Sequence, residues 1–553
     1  MYKKSMRIME DRRKTFVWIA LTVLVVCGGY LRFHNLGKLD LWIDEPYHVY
    51  SAESLNESGQ PLLPSGMRYN RALLYSRLVA VSFRIFGIDE FSVRFPSALF
   101  GVLCILLIFF IGKALFGRRV GLLAAFFLAF SYFALAWSRI SRFYTLFQFL
   151  YMLGVYVFYK GFEYSSELPK LFQKSRYLKS LKIHWVWLIS GLIVLAVAYG
   201  VHWNTLMFFP AVACYILLLG IASFVQYDLK TALRTKYVFS LAVILLIAIF
   251  GILFLDFLGY INFAFSYRPD WADAAKFQDR YFYYDFLTSN TMFPQSAFFL
   301  MGVIHIFTRM DKKAFFIFIQ FAVPFGITSL IFSYKLSNYI FQVYPFFLIL
   351  GAYGIINFYD DEVRILARKL SHFSSSFPKS YPGIVKRMVF IVLFAWIPLT
   401  IWFKLGIRFP DLKAGEYNLV YTHDHWKWAA DYVNRNRVEK DVIISTIPLT
   451  LMYYGLRSDY NLSHGLNSTA KQMGFIDDQG RPLDPYSGIR TILDADDLQN
   501  IIQSSSGCWL ITDEYTLGLR TAVPEDIAQF IDTHFQLVMK NATTFIYSWK
   551  AEP

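Results

Sequence analysis

Residues 100–133 read FGVLCILLIFFIGKALFGRRVGLLAAFFLAFSYF, two apolar runs joined by a Gly-Arg-Arg turn. Phe100–Phe110 and Leu122–Phe133 carry no charge, and each belongs to a stretch near the roughly 20 apolar residues that span a bilayer core. Phe16–Val26 and Leu241–Phe254 repeat the pattern. Across the 553 residues, 56% are hydrophobic and 17% charged, against about a quarter charged in soluble proteins. This composition excludes a soluble enzyme, a disordered regulator and a disulfide scaffold. It describes a polytopic membrane protein.

Apolar segments fall near 15–33, 91–115, 120–138, 144–160, 185–201, 205–225, 237–258, 292–308, 314–333, 338–357 and 388–405, about eleven spans by hydropathy. The net charge of +14 does not point to nucleic acid, because most Lys and Arg lie in short runs between these segments. With the basic residues 1–14 placed in the cytoplasm, parity puts Arg118-Arg119, the cluster Lys170/Lys174/Arg176/Lys179/Lys182, Lys230/Arg234/Lys236, Arg309/Lys312/Lys313 and the stretch 364–387 on one side. That is the positive-inside bias. No small-residue cleavage site follows Gly28-Gly29-Tyr30-Leu31-Arg32, so the first helix is expected to be retained. Cys27, Cys104 and Cys214 lie in apolar runs and Cys508 alone in the tail, which leaves no disulfide within the tail.

The expected architecture is mainly α: a membrane helical bundle over 15–405, with a C-terminal extracytoplasmic α/β domain over 406–553. The first outer loop, 34–90, has helical apolar spacing over Pro46–Asn56 and Ala72–Phe86, which suits helices lying in the interface or covering loop backbone. The tail reads as a helix at Trp426–Val433, a buried strand at Asp441–Ser445, a strand at Cys508–Thr512, a helix at Glu525–Thr533 and an edge strand at Phe545–Trp549.

Two groups of residues carry chemistry. Leu41-Trp42-Ile43-Asp44-Glu45-Pro46-Tyr47 sets adjacent carboxylates at the membrane edge, where charge is expensive and tends to be functional. Adjacent side chains point different ways, so one can face a cavity while the other anchors the loop; a helix N-cap is the plainer reading. On the same side lie Arg139 and Arg142 in a short turn, Arg268 in the second large loop, and Lys335 ahead of Tyr339. Several cations in such loops suit a phosphate, or equally a lipid headgroup.

With these residues in view, positions 30–360 resemble the GT-C class of membrane glycosyltransferases, in the branch of protein O-mannosyltransferases and lipid A aminoarabinose transferases (glycosyltransferase families 39 and 83). Trp42-Ile43-Asp44-Glu45 is similar to that branch's first-loop acidic motif. Phe86-Gly87-Ile88-Asp89-Glu90-Phe91-Ser92-Val93-Arg94-Phe95-Pro96-Ser97-Ala98 follows its loop-to-helix passage, and Leu115-Phe116-Gly117-Arg118-Arg119 its first cytoplasmic turn. Ser138, Arg142 and Tyr144 match its Ser-x-x-x-Arg-x-Tyr segment; Lys335, Tyr339 and Pro345 match its Lys…Arg-Tyr…Pro stretch. Two departures stand out. Tyr69-Asn70-Arg71 has Asn70 where many members carry an acid, and Asn338 replaces the usual Arg, shifting phosphate binding toward Lys335 and the arginines, Arg71 included.

The resemblance implies a sugar donor on a polyprenyl phosphate, consumed on the outer face of the inner membrane. It implies inverting displacement onto a glycan, lipid or protein acceptor, with membrane lipids the other partners. Asp44 is the first choice for base and Glu45 for positioning, with exchange of the two left open. Arg139, Arg142, Arg71, Lys335 and Tyr339 are assigned to the phosphate, and Tyr144, His202 and Arg268 to its support. Asp89 and Glu90 read as a loop-end cap. No cofactor is expected and no metal ligand set is assigned; His423-x-His425 lacks a third ligand. A lipid-linked sugar flippase shares the spans and the cations, as does a polysaccharide polymerase. Asn461-Leu462-Ser463, Asn467-Ser468-Thr469 and Asn541-Ala542-Thr543 are sequons on the expected outer side.

Overall fold

A computed structural model describes residues 2–164, 181–254, 259, 280–289, 292–332, 334–373, 425–513, 516–517, 522–541 and 543–550. Arg268, His423, the basic cluster 170–179, the span expected at 388–405 and the start of the tail lie outside the described residues.

Seven helices come first: α1 (Tyr2–Phe33), α2 (Pro46–Ser58), α3 (Leu73–Phe86), α4 (Glu90–Phe116), α5 (Arg118–Ala129), α6 (Tyr132–Ser138) and α7 (Tyr144–Glu163). Helices over Trp185–Val201, Phe208–Gln226, Lys236–Phe254, Phe293–Arg309, Lys312–Leu330 and Tyr344–Phe373 follow. Among the described residues four helical stretches are long and apolar enough to cross a membrane: Lys14–Phe33, Glu90–Phe116, Trp203–Gln226 and Lys312–Leu330. Two bent pairs, α5 with α6 and Phe282–Thr288 with Phe293–Arg309, raise the number to six. Part of the distance from the expected eleven is physical. Trp185–Val201 has only 17 residues, and α7 mixes Gln148, Lys160 and four tyrosines into its sequence and packs inside the bundle.

Local chemistry sets the breaks. Asp89 caps α4 with a reciprocal pair, Ser92 N donating to Asp89 Oδ1 at 2.7 Å and Asp89 N to Ser92 Oγ at 3.0 Å. Helix α7 lies along Trp185–Val201 so closely that a Cβ on Gly161 would sit 2.2 Å from Leu188 N, and one on Gly191 2.5 Å from Phe158 N. Small residues at a membrane helix interface permit such approach.

The 60° bend between α5 and α6 leaves helix-end carbonyls without an intrahelical donor. Arg32, at the end of α1 and fully buried, reaches across to supply it. Its Nη2 donates to Leu128 O at 3.1 Å, its Nη1 to Ala129 O at 3.1 Å and Gly28 O at 3.0 Å, and its Nε to Ser138 Oγ at 3.2 Å.

The C-terminal region is a five-stranded sheet ordered β2-β1-β3-β5-β4, from β1 (Val442–Ser445), β2 (Tyr460–Asn461), β3 (Gly507–Asp513), β4 (Gln536–Asn541) and β5 (Thr544–Lys550). The β2-β1-β3 half is parallel and the β3-β5-β4 half antiparallel. Trp426–Asn436 covers one face, packing Trp426, Ala429 and Val433 on Ile443, Ile511 and Ile546. Ala495–Gln503 and Glu525–His534 cover the other. The edge assignment of 545–549 is corrected: β5 is interior, because β4, whose side chains are mostly exposed, takes the rim beyond it.

This region sits directly on the first loop. Leu41 N donates to Tyr454 Oη at 2.7 Å, Lys427 N to Asp40 Oδ2 at 2.9 Å, and Ile43 packs into the Trp426 cluster.

Arg32→Leu should cost about 3 kcal/mol of stability, since several buried carbonyls lose their donor at once. Thermal melting of the purified protein in detergent reads this; an unchanged midpoint would mean the bend is held by something else.

Candidate active site

Residues 42–45 form a tight turn, Glu45 N donating to Trp42 O at 2.8 Å, and Pro46 starts α2 behind it. A turn ahead of a helix splits the two carboxylates. Glu45 points inward and is fully buried; Asp44 points outward, 30% exposed.

Glu45 is saturated. Its Oε1 accepts from Arg94 Nε at 2.8 Å and Ser141 N at 2.5 Å, and its Oε2 from Arg94 Nη2 at 2.7 Å and Trp42 N at 2.7 Å. Arg94 gives its remaining donors to Leu36 O, Leu39 O and Asp40 O at 2.7–3.0 Å, so all five N–H groups are used. Burial pushes the Glu45 carboxyl up, but the Arg94 charge and these hydrogen bonds outweigh it and hold the group below the usual range. A carboxylate with every lone pair engaged is a poor base.

Asp44 meets the turn 139–143. Arg142 Nη2 lies 3.2 Å from Asp44 Oδ2, and Arg142 Nη1 donates to Asp44 O at 3.1 Å. Arg142 is 2% exposed and sits over the rings of Trp42, Phe143 and Tyr144 at 5.3–6.0 Å, while its Nε has no acceptor among the described residues. Arg71 joins it, 5.6 Å from the centroid of Phe143 on that ring's face. The next residue, Ala72, holds φ +52° at the start of α3, a left-handed turn that swings the chain there. Arg71 is exposed and makes no ion pair among the described residues. Two guanidiniums thus stand against one accessible carboxylate, leaving room for an anion.

Neutral polar groups complete the surroundings. Tyr144 Oη takes a hydrogen bond at 2.5 Å from Asn338 Nδ2, and its ring centroid lies 5.9 Å from the Arg142 guanidinium. His202 stacks on Phe147 at 5.1 Å, and its Nδ1 accepts from Asn204 N at 3.0 Å. Burial first, then Arg71 and Arg142, push its pKa far down. His202 is therefore neutral with its proton on Nε2. His48, bonded to Ser76 Oγ at 2.9 Å, is held neutral by the same causes.

The structure does not bring every expected residue together. Arg139 donates to Leu31 O, Arg32 O, His34 O and Asn35 O at 2.8–3.2 Å, capping the end of α1. Lys335 is buried and donates to Phe332 O at 3.3 Å; Tyr339 packs on Phe332 and Tyr334, on the segment that carries Asn338. Asp89 caps α4 with Glu90 in its first turn. Sequence reasoning passed over Arg94, although a charge just inside an apolar helix demands a partner. Tyr69, buried beside this cluster with a hydroxyl that has no partner among the described residues, carried no signal at all.

Residues 70–254 match the family model described as dolichyl-phosphate-mannose-protein mannosyltransferase. An uncharacterized protein of Aquifex aeolicus (strain VF5) is 28% identical over 159 residues, 28% of this chain and 31% of that protein, so the match spans about a third of the relative's length. Among solved structures, ArnT of Cupriavidus metallidurans bound to undecaprenyl phosphate is similar with TM-score 0.56 and 13% identity, over 96% of this chain and 98% of that one. AglB, the oligosaccharyltransferase of Archaeoglobus fulgidus, in complex with an inhibitory peptide and dolichol phosphate, gives TM-score 0.59 and 9% identity over 97% and 74%. The resemblance to GT-C glycosyltransferases is borne out, by the family match over 70–254 and by a similar fold over 96–97% of the chain.

Glu45→Gln should cost about 3–5 kcal/mol at pH 7, because it leaves Arg94 buried without its counter-ion. The folded Glu45 protonates below the roughly 4.3 of the unfolded chain, so its contribution is complete above that value and fades as pH falls through the folded one. Melting curves between pH 7 and 3 should show acid loss in the wild type and a flatter profile in the variant.

Proposed function

We propose that this chain is an integral-membrane glycosyltransferase that moves a sugar from a polyprenyl-phosphate carrier to an acceptor hydroxyl. The reaction takes place on the extracytoplasmic face of the inner membrane, the N-terminus lying in the cytoplasm. The observation that carries the reading is the division of labour at positions 44 and 45. One carboxylate is buried and saturated; the other is accessible and stands against a surplus of positive charge.

In the proposed step Asp44 takes the proton of the acceptor hydroxyl. The freed oxygen attacks the anomeric carbon from the side opposite the phosphate, and the bond from that carbon to the phosphate oxygen breaks with its electron pair. The polyprenyl phosphate leaves as an anion, and the configuration at the sugar inverts. One base is enough, because the leaving group is a phosphate that needs no protonation. Arg142 and Arg71 hold the phosphate as charge gathers on it. The His202 Nε2–H is a neutral donor beside them. Arg142 already bonds Asp44, so an incoming phosphate competes for it and releases the carboxylate for proton transfer. A lipid-linked sugar translocator, the competing reading, is not favoured by the comparisons.

The purified protein in lipid, given a panel of polyprenyl-phosphate sugars and membrane extract, should release free polyprenyl phosphate together with a glycosylated product. Asp44→Asn should lower that rate about 10²–10⁴-fold, and Arg142→Gln about 10²–10³-fold, with melting temperatures retained. Equal turnover in Asp44→Asn would remove Asp44 as base. Movement of the lipid across the bilayer without transfer would make the protein a translocator.

A further inference from the structure

The C-terminal domain does more than rest on the first loop. Residues 61–69 form a hairpin there, with Leu62 bridged to Arg68, Tyr69 N donating to Pro61 O at 2.8 Å, and Ser65 at its tip. Onto that tip comes a second turn, 484–488. Ser65 Oγ donates to Pro485 O at 2.5 Å and Ser65 N to Tyr486 O at 3.2 Å. Gly488 holds φ +76° and packs against Ser65, where a Cβ would meet Ser65 Cα at 3.3 Å. The turn is closed on itself: Gly488 N donates to Asp484 O at 2.8 Å, and both the amide and hydroxyl of Ser487 donate to Asp484 Oδ2.

This rigid turn delivers one side chain to the carboxylate. The ring of Tyr486 lies 4.5 Å from that of Tyr47, three residues past Asp44, and Tyr47 lies 5.8 Å from Tyr69. Tyr486 feels the charges of both Asp44 and Arg71. Tyr47 and Tyr486 are half-buried, and the Tyr69 hydroxyl is buried without a partner among the described residues. A row of three tyrosines thus borders Asp44, with one ring supplied by a different domain.

We propose that Tyr486, with Tyr47 and Tyr69, forms the acceptor subsite beside Asp44 and that its occupant is a pyranose ring of a glycan. The inference rests on the transferase reading above and names its acceptor class. A pyranose has a flat C–H face that covers an aromatic ring and a rim of hydroxyls that bond to phenolic groups; tyrosine offers both surfaces at once. Burial raises the titration of all three phenols, so they stay protonated and can donate. A serine or threonine acceptor carries its hydroxyl on one short arm and would leave the accessible faces of Tyr47 and Tyr486 uncovered.

The test uses the full chain in nanodiscs, the donor that turns over in the panel, and two acceptor sets: methyl pyranosides with their oligosaccharides, and peptides bearing Ser and Thr. Tyr486→Ala should raise the glycan acceptor KM roughly tenfold with the donor KM unchanged, and Tyr486→Phe should restore it to within about threefold. Melting temperature and undecaprenyl-phosphate binding, both retained in Tyr486→Ala, establish that the variant is folded. An unchanged acceptor KM, an equal rise in donor KM, or transfer to peptides and not to glycans would each overturn the proposal. If no donor turns over even in the wild type, the transferase reading fails by itself. Saturation-transfer NMR with the methyl pyranosides then decides the subsite: binding lost in Tyr486→Ala supports it, and no binding to the wild type overturns it.

Discussion

A buried guanidinium with all five protons committed is the constraint on which this site rests. Arg94 stands in the second turn of an apolar helix, where an unpaired charge would cost several kcal/mol. Glu45 and the carbonyls of Leu36, Leu39 and Asp40 answer it together. The first loop is thereby wrapped around one side chain, and its shape follows from bonding rather than from packing alone. Glu45 then extends the tie to Ser141 N in the next turn, which carries Arg142. Asp44 and Arg142, nearly 100 positions apart in sequence, are set side by side by a residue that takes no part in the proposed chemistry.

The arginines of this region divide by what surrounds them. Arg32 and Arg139 spend their donors on carbonyls at helix ends, where the partial negative charge of the backbone attracts them. Arg94 is neutralised by Glu45. Among the described residues Arg142 keeps a buried Nε without an acceptor and Arg71 makes no ion pair. Every one of these is the same residue type near the same end of the bundle. Only the count of donors already used separates scaffold from site, and sequence holds no such count.

That contrast marks how far the chain could be read without coordinates. Helices α2 and α3 stand within two residues of the apolar spacing that announced them, since a stripe at helical period must be buried on one side. In the tail β1, β3 and β5 were legible from their buried apolar runs; β2, only two residues long, and β4, with most of its side chains exposed, offered no pattern, and β5 was mistaken for the rim. At the site, the adjacency of Asp44 and Glu45 was visible, and so was the expectation that they would face different ways. Tyr69, Tyr486 and the retained tasks of Arg139 were not, because each depends on partners brought close only by the tertiary fold.

The seat of the C-terminal turn on the first loop has a consequence for how such a protein diverges. Ser65 grips Pro485 and Tyr486 through their carbonyl oxygens, atoms that every amino acid possesses. A substitution at position 486 therefore changes what faces the carboxylate without loosening the grip that presents it. Docking and selection are written in different parts of the same residues, backbone for one and side chain for the other. A lineage can drift through successive preferences at that position while the junction between the two turns stays as it was.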